Sequence, residues 1–426
     1  MTRPRQIVTT HPLSAKRFIC RSASARRFRG SQEAGSEALT PKPLRPKRDP
    51  GAPGPAPLPR PPEAGHDQAA GFAAAWLRAN CPCGRCRDPG SGQRLVSLTD
   101  LPAQARIAAV AESDGDLRIT FWPDGHEAAF SRSWLAQQSA PAADERTEAA
   151  KRLWTAADFP AGPPAWSWPE YRTRDAIREA GLAALLRDGM MLLRGVPAAP
   201  GVVLAVARSM GYVRETNYGR LFDVKVAATP SNLAFTGLPI APHTDNPYRD
   251  PVPTVQLLHC LAAAAGGDSG LVDGFAAAAV LRREGPEAFG ILAGTPVTFA
   301  YRDAATELSA TRPVIGLDPA GRVREIRFNN RSMEPWRPGG AADGPDPVAS
   351  AAAFYAAARA FAEILARPAL MLTFRLEPGD CVAFDNTRVL HARTGFAATG
   401  TRHLQGCYAD LDGVSSTVGV LRRRTS

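Results

Sequence analysis

Two histidines and one aspartate could form a metal site of the kind that binds iron. His243 and Asp245 are separated by a single residue, and His391 lies far downstream in the segment FDNTRVLHAR. Alternate residues of an extended strand project to the same face, so His243 and Asp245 can contact one ion. Two imidazoles and one carboxylate form the facial triad of non-haem Fe(II) oxygenases, which leaves positions open for a bidentate oxoacid and O2. These three residues are therefore predicted to be the catalytic iron ligands, although HTD alone is a tripeptide that also occurs by chance.

An arginine eleven residues after His391 could bind the oxoacid. This residue, Arg402, lies in the segment GTRHLQGCYAD. Its planar guanidinium matches a carboxylate with two parallel hydrogen bonds. We therefore predict that Arg402 anchors the distal carboxylate of 2-oxoglutarate. Together with the triad, it indicates an Fe(II)- and 2-oxoglutarate-dependent oxygenase with O2 as co-substrate.

A second group of metal ligands lies near the N-terminal end of the folded chain. Cys81, Cys83 and Cys86 fall within the segment CPCGRC, and His126 follows in WPDGH. Three thiolates and one imidazole complete a tetrahedral Zn(II) shell with no open position, which is typical of a structural site. On spacing alone, free and inert thiols remain the alternative.

The first 70 residues differ in composition from the rest of the chain. They hold 13 Lys/Arg and 5 Asp/Glu, which accounts for +8 of the total formal charge of +10. Ten prolines lie between Pro41 and Pro62. Such a segment buries too little apolar surface to offset its ordering entropy, so residues 1–70 are predicted to be a disordered Pro/Arg-rich tail. Its start resembles an organellar transit peptide, but the Ala/Arg/Gly/Pro bias favours a start codon assigned too far upstream.

Strands must position most of these candidates. A small zinc-binding domain is predicted over residues 71–140, with strands at 94–98 and 116–122; in the latter, Leu117, Ile119 and Phe121 alternate with polar residues. A larger catalytic domain is predicted over 151–426, where short apolar runs are broken by Gly, Pro and Asp. Its predicted strands are 190–194, 369–376, 381–384 and 403–410, and its predicted helices are 171–188, 202–210, 275–284 and 348–366.

This pattern predicts a mainly β fold with helices, either a β-sandwich or a jelly roll. No window approaches eighteen uninterrupted apolar residues, so no transmembrane helix is expected. Residues 71–426 carry a net charge of only +2, which does not indicate a nucleic-acid-binding or membrane-binding face. The seven cysteines lack the spacing of a disulfide framework, which indicates a reducing cytoplasm.

Four motifs resemble the γ-butyrobetaine hydroxylase and trimethyllysine hydroxylase family, within the taurine-dioxygenase-like superfamily. They are HTD, GGDSGLVDGF (266–275), LEPGDCVAFDNTRVLHAR (376–393) and RHLQGCYAD (402–410). The similarity runs from about Trp76 to the C-terminus. It implies a double-stranded β-helix (jelly roll) catalytic domain, a small N-terminal zinc-binding domain and a homodimer. It also implies that the four Cys/His residues above bind zinc, and that Leu258 and Arg402 contact 2-oxoglutarate.

The same resemblance implies a small trimethylammonium substrate. A quaternary ammonium donates no hydrogen bond and is held by aromatic faces. The family's aromatic positions correspond to Tyr218, Phe222, Phe235 and Tyr408, of which Phe222 and Phe235 replace Trp and Tyr of animal members. Without the resemblance, these aromatics would more simply be core residues.

The anionic end of such a substrate is expected at Asn232 and at Asn329 or Asn330. Arg331 follows directly in the motif RFNNRS, either as a second anion ligand or as a solvated loop charge. The main prediction is therefore hydroxylation of γ-butyrobetaine to carnitine. Hydroxylation of 2-(trimethylamino)ethylphosphonate, the substrate of a related hydroxylase, is the alternative.

The sequence does not favour two other classes of function. A non-enzymatic, zinc-stapled binding or sensor protein would be indicated by loss of an iron ligand or of Arg402, and none is lost. Oxidation of proteins or nucleic acids would call for a basic groove, which the nearly neutral folded part does not suggest. A small-molecule substrate is therefore expected.

Overall fold

The structure, a computed structural model, describes residues 68–139, 151–225, 236–336, 346–396 and 402–425. The predicted tail, apart from its last residues, lies outside this range. The chain divides into two compact units, and the boundary in the sequence lies between Leu135 and Ala136. Each unit has its own hydrophobic core.

The first unit is built on a three-stranded antiparallel sheet. Its middle strand buries Leu117, Ile119 and Phe121 on one face, which confirms the predicted alternation. The prediction of a strand at 94–98 was wrong, because only a single bridge, between Arg94 and Arg87, forms there. The elements are β1 (Gln68–Ala69), β2 (Phe72–Ala73), α1 (Ala74–Ala79), a 3₁₀ helix (Leu98–Asp100), β3 (Arg106–Ser113), β4 (Asp116–Trp122), β5 (Glu127–Ser131) and α2 (Arg132–Ser139).

The second unit contains two facing sheets, as expected for a jelly roll. Its strands are β6 (Ala165–Ser167), β7 (Met190–Arg194), β8 (Phe222–Lys225), β9 (Ile240–His243), β10 (Val255–Ala262), β11 (Ser269–Asp273), β12 (Pro296–Arg302), β13 (Glu307–Pro313), β14 (Ile315–Leu317), β15 (Val323–Ile326), β16 (Met371–Phe374), β17 (Cys381–Asp385), β18 (Val389–Arg393) and β19 (His403–Ala409). The larger sheet has the order β6-β7-β17-β10-β19-β8, and the smaller has the order β16-β11-β18-β9. The prediction of a mainly β fold with helices is confirmed.

Helices and further hairpins surround the two sheets. The helices are α3 (Trp168–Thr173), α4 (Asp175–Asp188), α5 (Val203–Met210), α6 (Gly274–Glu284), α7 (Pro286–Gly294), α8 (Pro347–Leu365) and α9 (Leu411–Thr425), with a 3₁₀ helix at Ala156–Asp158. One apolar cluster joins α4, α5 and α9 to the outer face of the larger sheet. Another joins α6, α7 and α8 to the hairpin strands β12 to β15. A third fills the space between the two sheets.

Three helical features differ from the sequence prediction. The segment predicted as one helix over 171–188 is two helices that meet at Arg174. Helices α7 and α9 were not predicted; α9 follows directly after β19.

By length and composition alone, α8 could cross a membrane, although core helices of soluble proteins pass the same test. Its residues Phe354, Phe361 and Ile364 are buried in the cluster with α6 and α7.

Strand register places the candidate residues on the inner faces of the two sheets. His243 in β9 is the direct cross-strand partner of His391 in β18. In the larger sheet, Gln256 in β10 is the direct partner of Tyr408 in β19. Side chains alternate between faces along a strand, so Leu258 lies on the same face as Gln256. The fold thus directs side chains from both sheets into one interior space.

Candidate active site

The predicted iron ligands lie together between the sheets. One nitrogen or oxygen atom from each of His243, Asp245 and His391 falls within 4.8 Å of the others. The His243 Nε2 is 3.5 Å from Asp245 Oδ1, and the His391 Nε2 is 4.0 Å from Asp245 Oδ2. Two imidazoles and a carboxylate this close match the donor set and spacing of a 2-His-1-carboxylate iron site. These residues therefore fit Fe(II).

The protonation of these groups also suits a cation. Burial and the neighbouring His243 lower the pKa of His391 to about 3, so its imidazole is neutral and able to bind a metal. Burial alone would raise the pKa of Asp245, but the two histidines outweigh it and lower that pKa. The Nδ1 of His243 lies 2.9 Å from the backbone oxygen of Ala241. Donation to that oxygen fixes the tautomer that leaves Nε2 as the metal-binding atom.

A cavity of about 510 Å³ opens beside the triad. It includes seven of the residues predicted to contact cofactor or substrate, namely Tyr218, Phe222, Leu258, Asn329, Arg331, Arg402 and Tyr408. Asn330 is exposed and is not among the lining residues, so the structure favours Asn329 over it. The predicted residues Asn232 and Phe235 lie outside the described part of the chain.

Arg402 lines this cavity. It is buried, with 7% of its surface exposed, and burial lowers the pKa of its guanidinium. Room for its side chain depends on Gly267, because a Cβ there would lie 3.0 Å from the Cδ of Arg402. The Phe396 ring contacts two guanidinium groups, with its centroid 5.5 Å from the Cζ of Arg402 and 4.9 Å from the Cζ of Arg393. A dicarboxylate such as 2-oxoglutarate suits this positively charged part of the cavity.

Aromatic rings form another wall of the cavity. The centroid of Phe222 is 5.2 Å from that of Tyr408 and 6.2 Å from that of Tyr218. Phe222 lies close against the backbone of Gly406, where a Cβ would come within 2.3 Å of the ring. The absence of a side chain at Gly406 therefore allows Phe222 to lie beside Tyr408.

Two tyrosines of the cavity were missed by the sequence analysis. Tyr248 and Tyr301 stack with centroids 5.2 Å apart, and the Tyr218 and Tyr248 hydroxyls are 3.1 Å apart. Tyr248 lies only three residues after Asp245, so its proximity to the triad could have been inferred. No local signal distinguishes Tyr301, because β12 reaches the cavity only through the tertiary fold.

Arg331 is directed into the cavity by its neighbour. The Asn329 Oδ1 accepts hydrogen bonds from the backbone N and the Nε of Arg331, at 3.2 and 3.3 Å. The Asn329 Nδ2 donates to the backbone oxygen of Thr244, at 3.1 Å. Burial lowers the pKa of Arg331. Among the described residues, no carboxylate forms an ion pair with Arg331, so a bound anion would be its natural partner.

The predicted zinc ligands are also assembled. The His126 Nε2 lies 3.1 Å from Cys81 Sγ and 3.6 Å from the Sγ atoms of Cys83 and Cys86. Zn–S and Zn–N bonds of about 2.3 and 2.0 Å place tetrahedral ligands about 3.5 Å apart, so these residues fit Zn(II). Burial, followed by the charges of Arg78 and Arg85, lowers the pKa of His126 and favours the neutral imidazole that binds metal.

Comparison with known proteins agrees with this geometry. Residues 158–408 match the taurine catabolism dioxygenase TauD, TfdA family, and residues 65–149 match the gamma-butyrobetaine hydroxylase-like N-terminal family. The chain belongs to the TauD, TfdA family of dioxygenases. Members use Fe(II), 2-oxoglutarate and O2, so the chain is a 2-oxoglutarate-dependent dioxygenase. The predicted enzyme class and cofactors are confirmed.

Three curated relatives are similar to this chain over most of its length. The gamma-butyrobetaine dioxygenase of Pseudomonas sp. (strain AK-1) is 38% identical in an alignment that covers 83% of this chain and 91% of the relative. The human gamma-butyrobetaine dioxygenase is 32% identical, with 83% and 92% covered. The trimethyllysine dioxygenase of Meyerozyma guilliermondii is 28% identical, with 82% and 90% covered. Within the TauD, TfdA family, the chain is therefore similar over most of its length to gamma-butyrobetaine dioxygenases.

Proposed function

We propose that this dioxygenase hydroxylates a small trimethylammonium compound, with γ-butyrobetaine, which yields carnitine, as the main candidate. The observation that carries the proposal is the aromatic wall of Tyr218, Phe222 and Tyr408 in the same cavity as the triad and Arg331. Aromatic faces attract a quaternary ammonium, and a guanidinium attracts the anion at its other end. The bacterial and human relatives named above support γ-butyrobetaine as the substrate.

Each group has a role in this proposal. His243, Asp245 and His391 hold Fe(II), and Arg402 and Leu258 contact 2-oxoglutarate. Bound iron would supply the chemistry, in which one atom of O2 enters succinate as 2-oxoglutarate loses CO2 and the other atom enters a C–H bond of the substrate. The chain's own contribution is to orient the substrate by its two ends and to exclude solvent from the reacting carbon.

The cation is proposed to lie against the aromatic rings. Tyr218, Phe222 and Tyr408 form the described part of the cage, and Phe235 is proposed to complete it. Tyr248 and Tyr301 extend the aromatic surface and, through the contact between the Tyr218 and Tyr248 hydroxyls, restrict the Tyr218 ring. An aromatic cage contributes about 0.5–2 kcal/mol for each ring that faces the cation.

The anion is proposed to bind Arg331, with Asn232 and Asn329 as supporting amides. Arg331 lines the cavity but is exposed by surface area, and its guanidinium has no acidic partner in the described chain, which favours a strong anion. This keeps 2-(trimethylamino)ethylphosphonate as the second candidate, because a phosphonate dianion accepts two charge-assisted hydrogen bonds from one guanidinium.

A substrate panel tests the proposal. Purified enzyme with Fe(II) and 2-oxoglutarate would be given γ-butyrobetaine, trimethyllysine or the phosphonate, and succinate formation would be measured. We expect γ-butyrobetaine to give the highest kcat/KM, since discrimination is a difference in transition-state binding. A higher value for the phosphonate would replace the main candidate with the second. Succinate formation that none of the three compounds stimulates would overturn the trimethylammonium assignment.

The remaining parts of the proposal concern organisation. We propose that residues 71–140 form a zinc-stabilised domain, that 151–426 form the dioxygenase domain and that residues 1–70 are a dispensable tail. The enzyme is proposed to act in the cytoplasm as a homodimer on a small molecule, with no role for nucleic acid or membrane. Light scattering of the purified chain tests the dimer.

A further inference from the structure

The two oxygens of Asp245 have different surroundings. Oδ2 accepts a hydrogen bond from the Gln256 Nε2 at 2.9 Å and one from the Tyr408 hydroxyl at 3.1 Å. Oδ1 lies 3.5 Å from the His243 Nε2 and receives no hydrogen bond from any described residue. The lone pairs of Oδ2 are therefore engaged, while those of Oδ1 remain available to a cation.

This asymmetry follows from the register of the larger sheet. Gln256 and Tyr408 are direct cross-strand partners in β10 and β19, so their side chains stand side by side on the inner face. Asp245 follows β9, which belongs to the facing sheet. The two donors thus cross the interior and hold one oxygen of an iron ligand that the opposite sheet supplies.

The orientation of the Gln256 side-chain amide is set by its hydrogen bond to Asp245. Gln256 is buried, with 1% of its surface exposed. Its Oε1 has no hydrogen-bond partner among the described residues. A carboxylate only accepts hydrogen bonds, so the amide must turn its nitrogen towards Asp245. Leaving a buried amide oxygen unpaired is costly, and the charge-assisted bond to Asp245 offsets that cost.

We propose that Gln256, together with the hydroxyl of Tyr408, is a positioning residue that commits Asp245 to bind iron through Oδ1 alone. The proposal rests on the assignment of the iron site made above. A carboxylate held by one oxygen occupies a single metal position and leaves the others for 2-oxoglutarate and O2. Tyr408 then has two separable functions: its ring faces the cavity, and its hydroxyl orients an iron ligand.

Gln256→Met tests the first donor, because methionine has a similar length and no donor. Apo enzyme would be titrated with Fe(II) alone, without oxygen, in equilibrium dialysis. We expect about 10- to 100-fold weaker Fe(II) binding, the usual consequence of losing a group that orients a metal ligand. Gln405→Met is the matched control, because Gln405 is a buried glutamine of β19 that bonds Gly201 and Asp223 instead of the triad. The control should bind Fe(II) as the wild type does.

Tyr408→Phe tests the second donor while keeping the ring. We expect Fe(II) binding to weaken by a similar factor to that in Gln256→Met. Both donors act on one oxygen, so the double variant should lose less than the product of the two separate factors.

The outcomes separate this proposal from the one on which it rests. If the wild-type chain binds no Fe(II), the iron-site assignment fails. If the wild type binds Fe(II) and both variants bind it equally well, the positioning role is wrong. The role is also wrong if Gln405→Met weakens Fe(II) binding as much as Gln256→Met, since the effect would then come from general disturbance of the sheet. The proposal is supported if the apo variants have the same melting temperature as the apo control but bind Fe(II) more weakly than it does.

Discussion

The side-chain amide of Asn386 bonds both backbone polar groups of Asp245. Its Oδ1 accepts from the Asp245 N at 2.8 Å, and its Nδ2 donates to the Asp245 oxygen at 2.9 Å. The same Nδ2 also donates to the backbone oxygen of Pro253, at 3.0 Å. Asn386 lies between β17 and β18, five residues before His391. This amide therefore ties the iron ligand that follows β9 to the chain segment that supplies another ligand.

Replacing Asn386 should lower both stability and metal affinity. Asn386→Ala would leave the partly buried backbone groups of Asp245 without these partners, at a cost of about 1–3 kcal/mol in the free energy of unfolding. Urea denaturation of the apo protein measures that cost, and Fe(II) titration measures the metal affinity. Unchanged values in both measurements would show that the contact has no energetic importance.

The triad itself is tested by removing its members one at a time. His243→Ala and Asp245→Ala should each abolish substrate-stimulated succinate formation, because too few ligands remain to hold Fe(II) with open positions. The circular dichroism spectrum should remain that of the wild type. Near wild-type turnover in either variant would contradict the assignment of the iron ligands.

The cysteine cluster should contain metal when the protein is purified without added metal. Elemental analysis is expected to give about one Zn(II) per chain. Cys83→Ser should lose this zinc and melt at a lower temperature, because binding to a structural site contributes to folding free energy. Cys260→Ser is the control, since Cys260 is a buried cysteine in β10 that lies outside the cluster. A zinc-free protein that is as stable as the zinc-bound one would contradict a structural role.

Gly406 should be important for binding the trimethylammonium group of the substrate and not for binding 2-oxoglutarate. In Gly406→Ala the new methyl group would overlap the Phe222 ring and displace it from the aromatic wall. We expect a higher KM for γ-butyrobetaine, by about three- to thirtyfold for the loss of one ring contact, with little change in the KM for 2-oxoglutarate. Gly290→Ala in α7 is the matched control, because a Cβ there meets no atom within 4 Å. Equal KM values in the two variants would place Phe222 outside the cation site.

Arg331→Ala should separate the two candidate substrates. A charged hydrogen bond is worth about 1.5–3 kcal/mol, so KM should rise by about one to two orders of magnitude if Arg331 binds the anion. The increase should be larger for the phosphonate, whose dianion offers more charge to the same donor. Arg359→Ala, which removes an exposed arginine of α8, controls for the change in net charge. Small and equal effects on both substrates would place Arg331 in solvent and favour γ-butyrobetaine.

The sequence by itself was sufficient to identify the two groups of metal-ligand candidates and the mainly β fold. His243 and Asp245 are two residues apart, and three of the four zinc-ligand candidates lie within six residues. Such short spacings are meaningful without a tertiary structure, because local backbone geometry already places the side chains together. Alternation along β4 worked for the same reason. The strand predicted at 94–98 does not form, because this segment makes only a single bridge and does not pair into a sheet.

The tertiary structure alone decided which distant residues act on those ligands. Gln256 and Tyr408 meet Asp245 because β10 and β19 pair in one particular register, and a shift of one residue would turn both side chains to the opposite face. Tyr301 comes from a hairpin outside the two main sheets, and Asn386 is 141 residues from the aspartate that it holds. Register and sheet-to-sheet packing depend on the whole chain, so no local pattern in the sequence reports them.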